Sequence, residues 1–407
     1  MKSIKCIYKV GKGPSSSHTM GPQKAALIFK NKVDINATTA ITVELYGSLA
    51  ATGKGHLADS AIIAELSPLS ITIKWFPDQI LPLHPNGMIF RAFDYIGNEI
   101  INWVVYSVGG GELIDAGGDV EPLSSLKYDS NTIEEIISYC HINNKKMWEY
   151  VMEVEGDGIK SYLSNIWNVM KAAIRHGITQ EAVLPGYLRL ERRAKMMFKN
   201  TDIHTGILQD LNYIFCYALA VAEENASGGI IVTAPTCGSC GILPGILYYL
   251  SCHHQVPKEK IIQGIMTAGL FASAVCKSAS ISGAQVGCQG EIGTACAMAA
   301  AATCQILGGN NDQIEYAAEM ALEHNFGLTC DPVGGFVQIP CIERNAFGAT
   351  RAFECATYAI STNGKHKISF DTAVKVMYTT GRDMQSKYRE TAIGGLASII
   401  KFGDFKV

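Results

Sequence analysis

The chain has 407 residues, of which 48% are hydrophobic and 17% are charged, so it has enough apolar material for a large buried core. Its formal net charge of −3 and its lack of a long basic run exclude an obvious nucleic-acid partner. The N-terminal segment lacks the apolar centre of a secretory signal, and the longest apolar stretch, 261–277, carries Gln263 and Lys277 and predicts a buried helix rather than a membrane span. We therefore expect a cytoplasmic protein without a membrane partner.

The first part of the chain mixes strand and helix patterns. Residues 40–49 and 70–76 are rich in β-branched and aromatic residues and predict strands, whereas the helical spacing of GPQKAALIF and LADSAIIAEL predicts helices between them. A further strand is predicted over IINWVVYSVGGGEL, which contains three consecutive glycines. The turn-rich segment from there to about residue 130 predicts a linker.

Helical patterns dominate from residue 131 onward, and after residue 205 the predicted helices become rich in alanine, as in ACAMAAAATCQIL. Such small, uncharged helices are expected to pack closely in a buried core. Segments that contain glycine and proline interrupt them at 225–245, 281–293 and 324–348. The predicted fold class is α+β, with an N-terminal α/β domain over 1–125 and a mostly α-helical domain over 126–407.

Thirteen cysteines in a reducing compartment are expected to be free thiols, metal ligands or catalytic groups rather than disulfides. Three of them, Cys288, Cys330 and Cys341, lie beside glycine or proline in predicted loops. Their residues alone leave two interpretations open, namely filler in buried turns or a metal or cluster site. Three thiolates without a fourth would suit an iron–sulfur cluster with one iron left open to act as a Lewis acid.

For the cysteines inside predicted helices and for the Cys-x-x-Cys pair, the sequence does not specifically indicate a metal site. Five lie inside apolar helical patterns and are interpreted as small buried hydrophobic side chains: Cys216, Cys252, Cys276, Cys304 and Cys355. The Cys-x-x-Cys pair of Cys237 and Cys240 is compatible with a redox site, a zinc site or no site, because no second pair with zinc spacing accompanies it.

Two glycine-bearing segments of the N-terminal region each present a histidine. The segment GKGPSSSHTMGP offers short donors before a predicted helix, which suits an anion, although a plain helix cap is the alternative; these donors are Ser15, Ser16, Ser17, His18 and Thr19. The segment GSLAATGKGHLAD has a glycine spacing one residue too long for a phosphate-binding loop, so it is interpreted as a turn that presents Lys54 and His56. Two such turns in one small domain favour a shared site.

Several long motifs resemble those of the bacterial iron–sulfur L-serine dehydratases, among them GPSSSHTMGP, GKGHLAD, EENASGGIIVTAPT, GAQVGCQGEIG, EHNFGLTCDPVGGFVQIPCIERNAFGA and DMQSKYRETAIGGLA. The resemblance runs nearly end to end and is weakest around 110–180. It implies a fusion of two halves that are separate subunits in some members. It also implies a homodimer that acts on L-serine with a 4Fe–4S cluster held by Cys288, Cys330 and Cys341.

The resemblance implies elimination of water from L-serine at an open iron, giving pyruvate and ammonia. His56 is our first choice for the general base, because imidazole titrates near neutral pH, with His18 and Lys54 as the other catalytic candidates. The substrate carboxylate would be held by Ser15, Ser16, Ser17 and Thr19. The alternatives are a desulfidase that acts on L-cysteine and an iron–sulfur sensor or electron carrier.

Two features depart from the family pattern. Cys237 and Cys240 stand where the family usually has other residues, so we do not expect them to be ligands. No cysteine follows Cys355, whereas many single-chain members end in a cysteine that can cap the open iron. We therefore expect water or a small anion to fill the fourth iron position here.

Overall fold

The structure is a computed structural model that describes residues 1–120 and 126–399. Its N-terminal region alternates strands with three helices. In chain order these elements are β1 (Val10–Lys12), α1 (Gly21–Lys32), β2 (Ala40–Tyr46), α2 (Gly47–Thr52), α3 (Ala58–Leu66), β3 (Ser70–Phe76), β4 (Gly87–Phe93), β5 (Glu99–Gly109), β6 (Glu112–Asp115) and β7 (Gly118–Asp119).

Six of these strands form one mixed sheet in the order β3-β2-β4-β5-β6-β7. Strands β2 and β3 are parallel and are joined through α2 and α3, while the remaining neighbours are antiparallel. Apolar side chains of α1 and α3 pack against the sheet, as Phe29 does against Phe90 with ring centroids 5.1 Å apart. This packing fixes the carboxyl end of β2, where the chain turns toward His56.

The predicted strands and helices of this region are confirmed, except that the strand predicted over 40–49 ends at Tyr46, where α2 begins; β4 was not predicted. Beyond its first residue, β4 alternates buried and half-buried positions. The three consecutive glycines make the tight turn between β5 and β6, and all three have positive φ, which glycine adopts at little cost. The predicted linker begins instead with the end of β6 and β7, and its residues 121–125 lie outside the described part of the chain.

The C-terminal region is mostly helical, which confirms the predicted α+β class. In chain order its elements are α4 (Ile133–Ile142), α5 (Met147–Glu155), α6 (Gly158–Gly177), α7 (Ala194–Asn200), α8 (Ile207–Ala226), β8 (Ile230–Val232), α9 (Ile242–His253), α10 (Lys258–Ser278), α11 (Gly283–Val286), α12 (Thr294–Ile306), α13 (Asn311–Glu323), α14 (Cys341–Ile360) and α15 (Phe370–Asp383).

Helix α12 occupies the centre of this region, with α9, α10, α13 and α14 around it. Its alanines are fully buried, so the predicted close packing of small side chains is confirmed. Helix α10 is long and apolar enough to cross a membrane by length and composition, but 78% of its most apolar window is buried inside the protein. The prediction of a buried helix over 261–277 is therefore confirmed.

The first twelve residues pack mainly with the helical region, although Lys2 and Lys9 form ion pairs with Glu112 of β6. Met1, Ile4 and Tyr8 are fully buried in the helical core, and the Tyr8 hydroxyl donates to the carbonyl oxygen of Ile265 at 2.7 Å. Strand β1 pairs antiparallel with β8. The chain therefore leaves the helical core immediately before the serine-rich segment, which places that segment between the two regions.

Candidate active site

A small buried cavity lies where the N-terminal region meets the helical region. The residues that line it come from widely separated parts of the chain: Pro14, Ser15, His56, Gly238, Cys288, Glu291, Cys330, Pro332, Val337, Cys341 and Glu390. The three cysteines singled out from the sequence therefore face one cavity, together with His56 and Ser15. A close approach of backbones helps to form it, because a Cβ on Gly55 would lie 2.6 Å from the Gly335 carbonyl oxygen.

Each cysteine reaches the cavity from a different kind of element. Cys288 immediately precedes the π-helical turn Gln289–Gly293, which leads into α12. Cys330 lies in an extended segment that is hydrogen-bonded on both sides to the chain near residue 389, with Glu390 N donating to Cys330 O at 2.7 Å. Cys341 is the first residue of α14. The expectation that Cys341 lies in a loop is therefore wrong, because the Gly- and Pro-rich segment ends at Pro340.

Two of the three cavity cysteines, Cys288 and Cys330, have thiol pKa values shifted in opposite directions. Donor atoms of Cys288, Glu291 and Cys330 lie within 4.8 Å of one another. A hydrogen bond from Cys330 and the positive charge of Arg344 outweigh burial and lower the pKa of Cys288 to about 6. The same hydrogen bond and burial raise the pKa of Cys330. Cys288 is therefore a thiolate near neutral pH, and thiolates are the form in which cysteine binds metals.

The Cys288 thiolate raises the pKa values of two neighbouring side chains, Cys341 and Arg344. Burial raises the pKa of Cys341, and the charge on Cys288 raises it further. Burial alone would lower the pKa of Arg344, but the three nearby cysteines more than reverse that effect. The guanidinium thus supplies a permanent positive charge beside the sulfurs, which favours the deprotonation of more than one thiol when a metal binds.

A hydrogen-bonded chain fixes the tautomer of His18. Ser48 Oγ donates to the carbonyl oxygen of Glu390 at 2.7 Å, so it must accept from His18 Nε2 at 3.3 Å. The other ring nitrogen, Nδ1, accepts from Ser17 Oγ at 2.8 Å. Burial, and then the neighbouring His56, lower the pKa of His18. His18 is therefore a neutral ring with both nitrogens engaged.

His56, unlike His18, has one ring nitrogen without a hydrogen-bond partner among the described residues. Thr52 Oγ1 donates to the carbonyl oxygen of Ser48 at 3.1 Å, so it accepts from His56 Nδ1 at 3.2 Å. The proton of the neutral ring then resides on Nδ1, and Nε2 keeps its lone pair. That Nε2 is buried without a hydrogen-bond partner among the described residues, and burial lowers the pKa of His56 to about 3. The expectation that the His56 imidazole titrates near neutral pH is therefore wrong, because burial disfavours its charged form; His56 is instead an uncharged ring on the wall of the cavity.

The serine-rich segment forms a π-helical turn, Ser16–Met20, that runs directly into α1. Ser15 caps this turn by accepting from His18 N at 3.0 Å, and it also lines the cavity. Ser16 is buried, Ser17 contacts His18, and Thr19 donates to the His56 carbonyl oxygen at 2.6 Å. The predicted sharing of one site by the two histidine-bearing turns is matched by ring centroids 4.6 Å apart for His18 and His56.

Lys54, the third catalytic candidate, is not among the residues that line the cavity. Its side chain is exposed, and its ammonium lies 5.6 Å from the ring centroid of Trp75.

The cysteines outside the cavity differ from one another in burial. Cys237 and Cys240 are buried, and Cys237 Sγ lies 3.5 Å from Met20 Sδ.

The prediction of buried hydrophobic cysteines holds for Cys216, Cys304 and Cys355. It is wrong for Cys252 and Cys276, which are exposed near the carboxyl ends of α9 and α10. Helical periodicity at a helix end does not fix which residues stay covered.

Sequence reasoning missed several residues of the site. Glu390 is buried with a positive φ of 58°, and its carboxylate oxygen lies 3.4 Å from His18 Nδ1. Burial raises the pKa of Glu390, and burial followed by the charge of Cys288 raises the pKa of Glu291 to about 8. The motif DMQSKYRETAIGGLA contains Glu390, but no local pattern indicates that its side chain turns inward.

Comparisons with known proteins identify the family to which the chain belongs. The sequence matches the family model for the serine dehydratase alpha chain over 127–397 and that for the serine dehydratase beta chain over 3–73 and 67–117. It is 40% identical to the L-serine dehydratase of Haemophilus influenzae, with 98% of this chain and 99% of that protein covered. It is 39% identical to L-serine dehydratase 1 of Escherichia coli, with 98% and 99% covered. The chain belongs to the serine dehydratase family, with the parts that match the beta-chain and alpha-chain models joined in one polypeptide.

Proposed function

We propose that this protein is an iron–sulfur-dependent L-serine dehydratase, which eliminates water from L-serine to give pyruvate and ammonia. The observation that carries the proposal is one buried cavity that joins three cysteines to a histidine with a free lone pair. The names of the full-length relatives supply the substrate and the reaction. The histidine supplies the proton acceptor that such an elimination requires.

The residues present fit a 4Fe–4S cluster with three protein ligands. Cys288, Cys330 and Cys341 are the cysteines of the cavity wall, and Arg344 offsets the negative charge that their thiolates would bring. A fourth cysteine is absent from the residues that line the cavity. When bound, such a cluster would supply an iron that is free to polarise the substrate's carboxylate and hydroxyl as a Lewis acid.

The chain's own residues would then move one proton and hold the substrate. His56 Nε2 would take the proton from the α-carbon of serine, because His56 lines the cavity, its Nε2 has no partner among the described residues, and its Nδ1–H is held by Thr52. Ser15 would contact the substrate carboxylate from the same wall. Ser17 and Thr19 would not contact the substrate; Ser17 would orient His18, and Thr19 would orient the turn that carries His56. Loss of water leaves aminoacrylate, which tautomerises and hydrolyses to pyruvate and ammonia.

The test is purification without air, followed by a pyruvate assay with L-serine and a parallel sulfide assay with L-cysteine. We expect pyruvate from L-serine, loss of activity in air, and recovery with ferrous iron and a reductant, because an iron without a thiolate is the corner most easily lost. Activity that survives air and a chelator, or that requires pyridoxal phosphate, would refute the iron–sulfur assignment. Faster turnover of L-cysteine would favour the desulfidase alternative.

A further inference from the structure

Four side chains of α14 form an exposed stripe, which we call the α14 stripe. Phe347 and Tyr358 are 64% and 57% exposed, and the side chains of Arg351 and Glu354 between them are 42% and 65% exposed. Spacings of four, three and four residues place all four on one side of the helix. The three alanines that lie between Phe347 and Tyr358 are fully buried, so the stripe is the outward face of a helix that packs on the core with its other side.

The apolar part of this surface continues onto α8. Phe215 meets Phe347 edge to face, with ring centroids 5.6 Å apart. One and two turns earlier on the same face of α8 lie the half-buried Leu211 and then Ile207, which is 74% exposed, with Leu208 beside it at 58%. A continuous surface of large apolar side chains at the edge of charged ones is typical of a protein interaction site.

The order of residues along the α14 stripe is self-complementary. Arg351 and Glu354 lie at equal distances on either side of a midpoint between residues 352 and 353, and so do Phe347 and Tyr358. A two-fold axis through that midpoint would set Arg351 of one chain against Glu354 of the other, twice. It would also set Phe347 of each chain against Tyr358 of the other. A closed dimer requires such a match, because both chains contribute the same patch to its interface.

Two copies of α14 related by this axis would run antiparallel. The spacing of four, three and four residues is that of the contact positions in coiled coils, which suits two helices that cross at about 20°. Arg351 Nε already lies 3.3 Å from Glu354 Oε2 within one chain, so the two pairs would form a group of four charges that alternate in sign. The flanking aromatic rings would be removed from water at either end of the group, where they supply apolar burial.

We propose that the α14 stripe docks a second copy of this chain, with the two α14 helices antiparallel about a two-fold axis between residues 352 and 353. The apolar surface of α8 would flank this contact. Because α14 begins with Cys341, the pairing would join two helices that each carry one cysteine of the thiol-lined cavity. The docking does not depend on the proposed reaction.

The test is sedimentation equilibrium of the full chain, purified without air, with single charge reversals in the stripe. The natural chain should sediment as a dimer. Arg351→Glu would bring four acidic side chains together at the two-fold axis, and Glu354→Arg would bring four basic ones together. Each variant alone should therefore raise the dissociation constant of the dimer by about 30-fold or more, since two attractive contacts become repulsive.

Mixing the two variants gives the decisive measurement. A chain with Arg351→Glu and a chain with Glu354→Arg are complementary at both pairs, so an equimolar mixture should regain the dimer mass although neither variant dimerises well alone. One chain that carries both reversals should also dimerise with itself. This recovery requires folded chains, so it separates a lost contact from a lost fold.

Glu99→Arg is the matched control, because it also places two like charges side by side, at the exposed pair of Glu99 and Arg91 on the sheet. It should leave the dissociation constant unchanged. A natural chain that sediments as a monomer would overturn the proposal, as would a dimer that neither reversal weakens or a mixture that stays monomeric. Activity plays no part in these measurements, so their failure would leave the proposed dehydratase function untouched.

Discussion

Thr52 and His56 lie one helical turn apart and are joined by a 3.2 Å contact between Thr52 Oγ1 and His56 Nδ1. Because the threonine proton is already given to the Ser48 carbonyl oxygen, this contact decides which nitrogen of His56 carries hydrogen. The same type of argument makes His18 a ring with both nitrogens engaged. The two histidines therefore differ in whether a ring nitrogen is left without a partner among the described residues, although their ring centroids are only 4.6 Å apart.

The first prediction concerns His56 as the base. His56→Gln should lower kcat by about 10²–10⁴-fold, the usual contribution of a general base, with a smaller change in KM. Unchanged kcat would reassign the base to another group. His18→Gln should disturb the Ser17–Ser48 chain and is not a clean comparison.

Thr52 tests the positioning of that base. Thr52→Val keeps the volume but removes the acceptor for Nδ1–H, so kcat should fall roughly five- to tenfold, since one neutral hydrogen bond is worth about 1 kcal/mol. Thr52→Ser retains the hydroxyl and should restore most of kcat. If both variants lose activity equally, packing rather than the hydrogen bond is the cause.

The second prediction concerns the cysteines. Cys288→Ala, Cys330→Ala and Cys341→Ala should each lose iron and activity, because each removes a thiolate from the cavity wall. Iron and sulfide content and the visible absorption spectrum measure this loss. Cys237→Ala and Cys240→Ala are matched controls from buried positions and should keep iron near normal. Loss of iron from either control would contradict the assignment of the cluster ligands to Cys288, Cys330 and Cys341.

The third prediction separates Ser15 from Ser17. Ser15 lines the cavity, so Ser15→Ala should chiefly raise the KM for L-serine. Ser17 donates to His18 Nδ1, so Ser17→Ala should lower kcat as well. Steady-state kinetics on both variants give this comparison, and an effect of Ser17→Ala on KM alone would place Ser17 against the substrate instead.

The fourth prediction concerns stability against pH. Burial, and then the nearby Glu323, raise the pKa of Glu319 on α13 to about 8. The folded state thus holds a proton that the unfolded chain releases near pH 4.3, so folding stability contributed by this group falls as pH rises from about 4 to about 8. Glu319→Gln should remove this dependence, so it should match the natural chain near pH 4 and become progressively more stable than it as the pH rises to about 8.

Thermal melting at several pH values between 4 and 9 provides the measurement for Glu319. Glu354→Gln serves as the control, because the Glu354 side chain is 65% exposed and should leave the pH profile unchanged. A Glu319→Gln profile parallel to that of the natural chain would show that Glu319 is ionised throughout.

The fifth prediction concerns the C-terminal tail, whose residues 400–407 lie outside the described part of the chain. Among residues 398–407, Ser398, Lys401, Asp404 and Lys406 carry oxygen or nitrogen donors, and none of these ten residues is a cysteine. Deleting 403–407, the sequence GDFKV, should therefore change the KM for L-serine little. A several-fold drop in KM would instead identify the tail as a plug.

The sequence made the cysteine and histidine candidates recognisable, because their segments are glycine- and proline-rich and unlike the surrounding helices. Strand β2 was predictable from its β-branched and aromatic residues, and α12 was predictable from its run of alanines. Glu390 and Arg344 were not, because their approach to the thiols depends on tertiary pairing at Cys330 and on the direction of α14. Tautomers depend on which hydroxyl protons are already used, which only three-dimensional contacts reveal.

The pairing of Glu390 N with Cys330 O has a consequence for the order of assembly. One wall of the pocket comes from near residue 15 and another from residue 390, so the pocket requires contacts between parts of the chain that are far apart in sequence. Such contacts form late, because the loops between them must close first. A nascent chain that has not yet emerged past residue 390 cannot present the complete pocket, so a metal cluster would be loaded after synthesis of the polypeptide has passed that point.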